Sequence, residues 1–83
     1  MYGILFSDKA KKQLEKLPRN VQEIILNKVY SIRNEPLRFL KKLEGSNLWR
    51  LRIMDYRAII DVIVTESKII VLTIDKRNRV YDR

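Results

Sequence analysis

Apolar and basic residues alternate between positions 48 and 57, and this alternation is the clearest pattern in the chain. The stretch reads LWRLRIMDYR, with Trp49, Leu51 and Ile53 on one parity and Arg50 and Arg52 on the other. A period of two predicts a half-buried strand with a basic outer face. Met54-Asp55 indicates a tight reversal, after which Tyr56 and Arg57 begin another strand. Since an isolated hairpin is unstable in water, the rest of the chain must supply a core behind it.

Two amphipathic helices are predicted ahead of this hairpin. Apolar residues recur at helical spacing among lysines after Ser7 and Asp8, either of which can cap the first helix. This helix should end before Pro18. Asn20 can cap the second helix, whose apolar positions follow an i, i+3, i+4, i+7 pattern to about Asn34. The two helices should form an antiparallel hairpin that covers one face of a sheet.

Short β-branched runs predict the strands. They are Tyr2–Phe6 near the N-terminus, followed by Leu48–Ile53, Tyr56–Thr65 and Lys68–Asp75. The order is strand, helix, helix and a three-stranded antiparallel meander. This order predicts an α+β fold with both helices packed on one face of a small sheet. A chain of this length is expected to form a single domain over residues 1–83.

Strand parity separates a core face from an outer face. The predicted core face consists of Trp49, Leu51, Ile53, Ala58, Ile60, Val62, Val64, Ile70, Leu72 and Ile74. Phe39 and Leu40, in the less regular segment before the meander, should pack under the helices. The predicted outer face carries Arg50, Arg52, Arg57, Asp61, Thr73 and Asp75. Arg77 joins them if the last strand keeps its pleat for two more residues.

The charge distribution points to an anionic partner. The chain has 18 basic and 10 acidic residues, and positions 40–57 and 76–83 together carry +6 of the net charge of +8. Nucleic acid is the first candidate for such a basic protein. Arginine suits phosphate because its planar fork donates two hydrogen bonds and stays protonated.

The absence of cysteine and histidine removes several kinds of chemistry. Without them the chain has no disulfides, no thiolate metal site and no Ser-His or Cys-His nucleophile pair. The sequence has no cluster of carboxylates that would suggest a metal site, and we expect no cofactor. The chain shows no leader segment and no apolar run of roughly 18 residues, so we expect no membrane association and a cytoplasmic location.

Four motifs, in this order and spacing, resemble the RelE/ParE superfamily of toxins from bacterial and archaeal toxin–antitoxin modules. They are a Leu-x-Gly lead at Leu43-Glu44-Gly45, a Trp-Arg-Leu-Arg strand at Trp49–Arg52, an Asp-Tyr-Arg turn at Asp55–Arg57 and the ending KRNRVY at Lys76–Tyr81. The resemblance covers essentially the whole chain. Met54 and Lys76 depart from it, because glycine and histidine respectively are common there, and Leu48 stands where a basic residue is sometimes found.

The resemblance implies a function. RelE-like members are ribonucleases that cut mRNA in the ribosomal A site and often use a tyrosine with basic residues. Arg57, Arg77 and Tyr81 match residues of the family's turn and ending, so we expect Arg57 and Arg77 to clamp the scissile phosphate and Tyr81 to orient the 2′-hydroxyl or act as a base. Arg50 or Arg52 would steady the leaving group or the flanking phosphate. Flanking phosphate contacts are expected at Lys41, Lys42, Lys76 and Arg79.

The same resemblance implies partners and leaves two alternatives open. A RelE-like toxin acts on mRNA bound to the ribosome as a metal-independent endoribonuclease and inhibits translation. A RelB-like antitoxin neutralises it. The ParE branch shares the fold but acts on DNA gyrase. A non-catalytic nucleic-acid-binding module would use the same arginines and bind with a steep salt dependence.

Overall fold

The computed structural model describes residues 1–76, and the predicted site residues Arg77, Arg79 and Tyr81 lie outside the described residues. The elements in chain order are β1 (Gly3–Phe6), α1 (Asp8–Glu15), α2 (Arg19–Ser31), α3 (Pro36–Phe39), β2 (Lys41–Lys42), β3 (Trp49–Ile53), β4 (Tyr56–Ile63), a 3-10 turn (Val64–Glu66) and β5 (Lys68–Lys76). The predicted α+β class is confirmed. Within residues 1–76, no helix is long and apolar enough to cross a membrane.

Within the described residues, five strands form one mixed sheet in the order β1-β5-β4-β3-β2. The predicted meander is present, because β4 pairs antiparallel with both β3 and β5. The N-terminal β1 pairs parallel with β5 and therefore lies at the opposite end of the sheet from β2. Sequence patterns did not predict β2 or α3, since elements of two and four residues are too short to show a period.

The ends of the two long helices have identifiable causes. Ser7 caps α1 as predicted, because its hydroxyl oxygen accepts a hydrogen bond from the Ala10 amide at 3.0 Å. The prediction that Asn20 caps α2 is wrong, since the cap position is Pro18. The α2 helix ends at Ser31, three residues earlier than expected. One of the carbonyl groups in its last turn, that of Tyr30, accepts a hydrogen bond from the Arg33 guanidinium at 2.8 Å.

In the part of the chain that the structure describes, a cluster of buried side chains joins the helices to one face of the sheet. Its members are Ala10, Ile25, Val29, Ile32, Leu40, Leu51, Ile53, Ala58, Ile60, Ile69, Val71 and Ile74. The parity predictions for β3 and the first half of β4 are confirmed, because Leu51, Ile53, Ala58 and Ile60 are all buried. Trp49 and Val62 pack against the cluster while remaining partly exposed.

The parity predicted for β5 is wrong at Ile70 and Leu72. Ile59 pairs with Thr73 whereas Ile60 pairs with Val71, so Leu72 is an extra residue in the ladder. A bulge of one residue reverses the parity of a strand. The buried residues of β5 are therefore Ile69, Val71 and Ile74, and only Ile74 was predicted. Ser7 holds this bulge, because its hydroxyl donates to the Leu72 carbonyl at 2.7 Å.

Two further predictions of buried residues are wrong, because each residue lies where a strand or a helix ends. Val64 is 57% exposed, since β4 ends at Ile63 and the chain enters the 3-10 turn. Phe39 is 52% exposed, whereas its neighbour Leu40 is buried as expected. Phe39 ends the short helix α3, where its ring lies 5.7 Å from the Arg38 guanidinium carbon.

The predicted reversal at Met54-Asp55 is confirmed as a two-residue turn between β3 and β4. Met54 has a φ of 52°, a conformation that glycine adopts without strain and other residues rarely adopt. This backbone requirement is a physical reason for the glycine that is common at this position in the resembling superfamily.

Candidate nucleic-acid interface

Two rows of side chains cross the outer face of the sheet. In the first row, Lys41 of β2 faces Arg50 of β3, Arg50 faces Ile59 of β4, and Ile59 faces Thr73 of β5. Residues directly opposite each other on neighbouring strands project to the same face. This pairing places Lys41, which is predicted to contact a flanking phosphate, directly opposite the predicted site residue Arg50.

The second row, towards the β3–β4 turn, consists of Arg52, Arg57 and Asp75. Arg52 pairs directly with Arg57, and Arg57 pairs with Asp75. Like charges placed opposite each other on a sheet are unfavourable. Asp75 supplies a negative charge next to them. We call the four cations of the two rows, Lys41, Arg50, Arg52 and Arg57, the basic face.

Three of the four cations of the basic face, Lys41, Arg50 and Arg52, have no ion pair within residues 1–76. The ion pairs among residues 1–76 join Arg38 to Glu35 at 3.1 Å and Lys68 to Glu66 at 3.5 Å. Arg52 is also exposed. These four cations, with Asp61 and Asp75 on the same face of the sheet, leave a net positive surface that can bind phosphate groups.

Lys42 and Lys76 lie on the other side of the sheet. Lys42 pairs with Trp49, and its Nζ lies 5.5 Å from the indole centroid. Lys76 pairs with Tyr56, and its Nζ lies 5.8 Å from the phenol ring centroid. Both ring contacts have the geometry of cation–π interactions. The structure therefore does not bring these two predicted phosphate contacts to the basic face.

The loop between β2 and β3 shapes one end of the basic face. Gly45 has a φ of 73°, which only glycine adopts without strain. The Leu43 amide donates to the Leu48 carbonyl at 3.0 Å, and the Leu48 amide donates to Ser46 Oγ at 2.9 Å. This closed loop borders a cavity of about 440 Å³, lined by Lys41, Lys42, Leu43, Glu44 and Arg50. The Leu-Glu-Gly motif thus has a structural role next to Arg50.

A second cavity, the α2 groove, lies between α2 and the β3–β4 turn. It measures about 510 Å³ and is lined by Ile24, Asn27, Lys28, Ser31, Arg52, Ile53 and Met54. Ile24 and Met54 are exposed apolar side chains. Since Arg52 lines the groove, this apolar surface is continuous with the basic face.

Sequence patterns missed Gln13, which reaches β5 from α1. Its Oε1 accepts from the Ile74 amide at 2.7 Å and from the Thr73 hydroxyl at 3.1 Å. Its Nε2 donates to Asp75 Oδ1 at 3.4 Å. The available signal was an uncharged amide in a helix whose other polar residues are charged.

The sequence places the chain in a toxin family. Residues 4–81 match the family described as the ParE toxin of type II toxin-antitoxin systems, parDE. The match spans nearly the whole chain, so the protein belongs to this family of toxins. Its place in the RelE/ParE superfamily is confirmed. Among curated proteins, none matches the chain significantly.

Solved RelE structures share the fold. The RelE–RelB complex from Pyrococcus horikoshii matches with a TM-score of 0.80 at 29% identity, covering 94% of this chain and 97% of that chain. The RelBE2 toxin–antitoxin complex from Mycobacterium tuberculosis matches with 0.82 at 24%, covering 92% and 98%. The isolated RelE toxin from E. coli matches with 0.83 at 24%, covering 95% and 87%. The fold is therefore RelE-like.

Proposed function

We propose that this toxin is a ribosome-dependent endoribonuclease that cuts mRNA and inhibits translation. The observation that carries the proposal is the basic face, where Arg50, Arg52 and Arg57 lie on the same face of two adjacent strands. RNA presents a phosphate at every nucleotide. A rigid sheet holds arginines at fixed separations, as a phosphate site requires.

The proposed reaction needs neither histidine nor a metal. The 2′-oxygen of the RNA loses its proton and bonds to the adjacent phosphorus, and the bond from phosphorus to the 5′-oxygen breaks. The leaving 5′-oxygen takes up a proton, giving a cyclic phosphate and a 5′-hydroxyl. Negative charge develops on the phosphoryl oxygens in the transition state, so guanidinium groups placed there accelerate the reaction.

The proposed roles follow the resemblance and the geometry together. Arg57 and Arg77 bind the scissile phosphate, and Tyr81 orients the 2′-hydroxyl or accepts its proton. Arg50 or Arg52 stabilises the leaving group. Lys41 extends the contacts along the RNA on the basic face, and flanking contacts from Lys42, Lys76 and Arg79 remain part of the proposal.

A second candidate function is inhibition of DNA gyrase. The family match over residues 4–81 favours it, because that family is described as ParE toxins. The fold is shared with RelE toxins, so it does not discriminate between the two activities. An activity assay does discriminate, since gyrase inhibition requires no RNA cleavage.

One experiment separates the candidates. Purified protein is incubated with ribosomes carrying an end-labelled mRNA, with the same mRNA alone, and with gyrase and plasmid DNA. We expect cleavage of the mRNA only on the ribosome, fragments ending in a cyclic phosphate, and intact plasmid. Gyrase-dependent DNA breaks with intact mRNA would establish the ParE-like activity instead. Salt-sensitive RNA binding without any cleavage would identify a binding module.

We also propose a cognate, RelB-like antitoxin with an acidic, amphipathic segment. Negative side chains complement the basic face, and apolar ones fit the adjoining α2 groove beside Arg52. In a purified complex, hydrogen exchange should slow at residues 50–57 relative to the free toxin. If Arg50 and Arg57 stayed as exposed in the complex as in the free protein, neutralisation would have to be indirect, for example by blocking entry to the ribosome.

A further inference from the structure

Beyond Val71, the edge of β5 that faces β1 is completed by side chains of the α1 region. Among residues 1–76, β1 pairs with β5 only from Gly3 opposite Lys68 to Phe6 opposite Val71. After that point Ser7 binds the bulge through two hydrogen bonds. Its amide donates to the Val71 carbonyl at 2.9 Å, and its hydroxyl donates to the Leu72 carbonyl at 2.7 Å. The next stretch of this edge, residues 73–75, is held by Gln13.

Gln13 contacts three consecutive residues through one amide group. Its oxygen accepts from the Ile74 amide and the Thr73 hydroxyl, and its nitrogen donates to Asp75 Oδ1. Without Gln13, the Ile74 amide would lack the partner that a strand provides elsewhere along the ladder. The side chain therefore anchors the backbone after the bulge and makes a longer, solvent-exposed contact with the carboxylate of Asp75.

These contacts bear directly on Arg57. Asp75 is the residue directly opposite Arg57 in the register of β4 and β5, so the two side chains project from the same face of the sheet. Thr73 ends the row that contains Arg50. Arg77 follows Asp75 by two residues in the chain. The side-chain amide of Gln13 thus contacts residues 73–75, which form the β5 end of both rows.

We infer that Gln13 is a positioning residue for the basic face, because it holds Thr73, Ile74 and Asp75 and thereby fixes the arrangement of Asp75 opposite Arg57. The inference rests on the proposed ribonuclease function, in which Arg57 binds the scissile phosphate. Gln13 itself need not touch RNA. Its contribution is to hold the strand and the carboxylate opposite an arginine, and a misoriented arginine lowers the rate more than the binding of substrate.

The sharpest variant is Gln13→Glu. A carboxylate at position 13 still accepts from Ile74 and Thr73, so the backbone contacts survive. It loses the donor to Asp75 and places a second negative charge beside that carboxylate. The matched control is Gln22→Glu, in which the chain's other glutamine, which donates to the Leu17 carbonyl at 2.8 Å, undergoes the same chemical change away from β5.

Two readouts are measured on full-length protein with unchanged thermal unfolding. The first is the NMR signal of the Arg57 Nε–H group, which we expect to move in Gln13→Glu and to stay in place in Gln22→Glu. The second is mRNA cleavage on the ribosome, for which kcat should fall about tenfold, the typical effect of one hydrogen bond to a charged group, with KM changed by less than about twofold. Adding Asp75→Asn should make Gln13→Glu nearly neutral, because the introduced carboxylate then faces an amide donor.

The outcomes separate this inference from the proposed function. An Arg57 signal that moves in Gln13→Glu supports the positioning role even if the wild-type protein cuts no mRNA, in which case the ribonuclease proposal alone fails. An Arg57 signal that does not move, or an equal loss of cleavage in Gln22→Glu, overturns the positioning role. Loss of cleavage that Asp75→Asn leaves unchanged also overturns it, since the effect would not pass through Asp75.

Discussion

Replacing Arg57 with alanine is expected to reduce ribosome-dependent mRNA cleavage by about a hundredfold or more. Arg57 lies at the centre of the second row, between Arg52 and Asp75. A single well-placed donor to developing negative charge contributes on the order of 3 kcal/mol to transition-state stabilisation. The loss should appear mainly in kcat, measured in single-turnover reactions with saturating ribosome complexes, because the other cations of the basic face still bind the RNA.

Two companion variants make the result specific. Arg57→Lys keeps the charge but loses the planar fork, so its activity should fall between those of the wild type and Arg57→Ala. Arg19→Ala removes an equal charge from an exposed position at the start of α2 and should leave cleavage unchanged. Undiminished cutting by Arg57→Ala would remove Arg57 from the site. An equal loss in Arg19→Ala would reduce its role to net charge.

The arginine arrangement could be predicted from sequence because β3 and β4 are regular. Both strands keep an unbroken period of two, so Arg50, Arg52 and Arg57 had to share a face once Leu51 and Ala58 were buried. A two-residue turn at Met54-Asp55 then fixed the register between the strands. Local rules suffice here, since every determinant lies within ten or so residues of the chain.

The geometry of β5 could not be predicted in the same way. The extra residue at Leu72 is held by Ser7, which is 65 residues away in sequence. Nothing in the run of β-branched residues around Leu72 marks a bulge. Gln13 was missed for the same reason, because its three partners lie about 60 residues further along the chain. Contacts between distant segments thus decide the part of the site that periodicity leaves open.

The basic residues also show why charge clusters in a sequence are only a partial guide to a site. Lys41 and Lys42 are adjacent in the chain, yet Lys41 pairs with Arg50 and Lys42 with Trp49. Neighbours in a strand point to opposite faces, so one lysine joins the basic face and the other lies over an aromatic ring. A basic face alone fits several anionic partners, so RNA cleavage was predicted from the superfamily resemblance and not from the charge pattern.

The second large effect is expected in stability, from Ile60→Ala. Ile60 is completely buried at the centre of β4. Replacing a buried isoleucine with alanine costs about 2–5 kcal/mol, from the lost apolar transfer and the cavity that remains. A domain of this size has only about 5–15 kcal/mol of stability in total. Ile60→Ala should therefore shift the urea unfolding midpoint far downwards, at an unchanged m value.

Ile59→Ala is the matched control, because it makes the same chemical change one residue earlier. Ile59 lies on the outer face between Arg50 and Thr73 and is only partly buried. Its truncation should therefore shift the unfolding midpoint much less than that of Ile60. A shift of one residue in the register of β4 would exchange the two side chains between core and surface. Equal or reversed losses would thus contradict the register that also places Arg57 on the basic face.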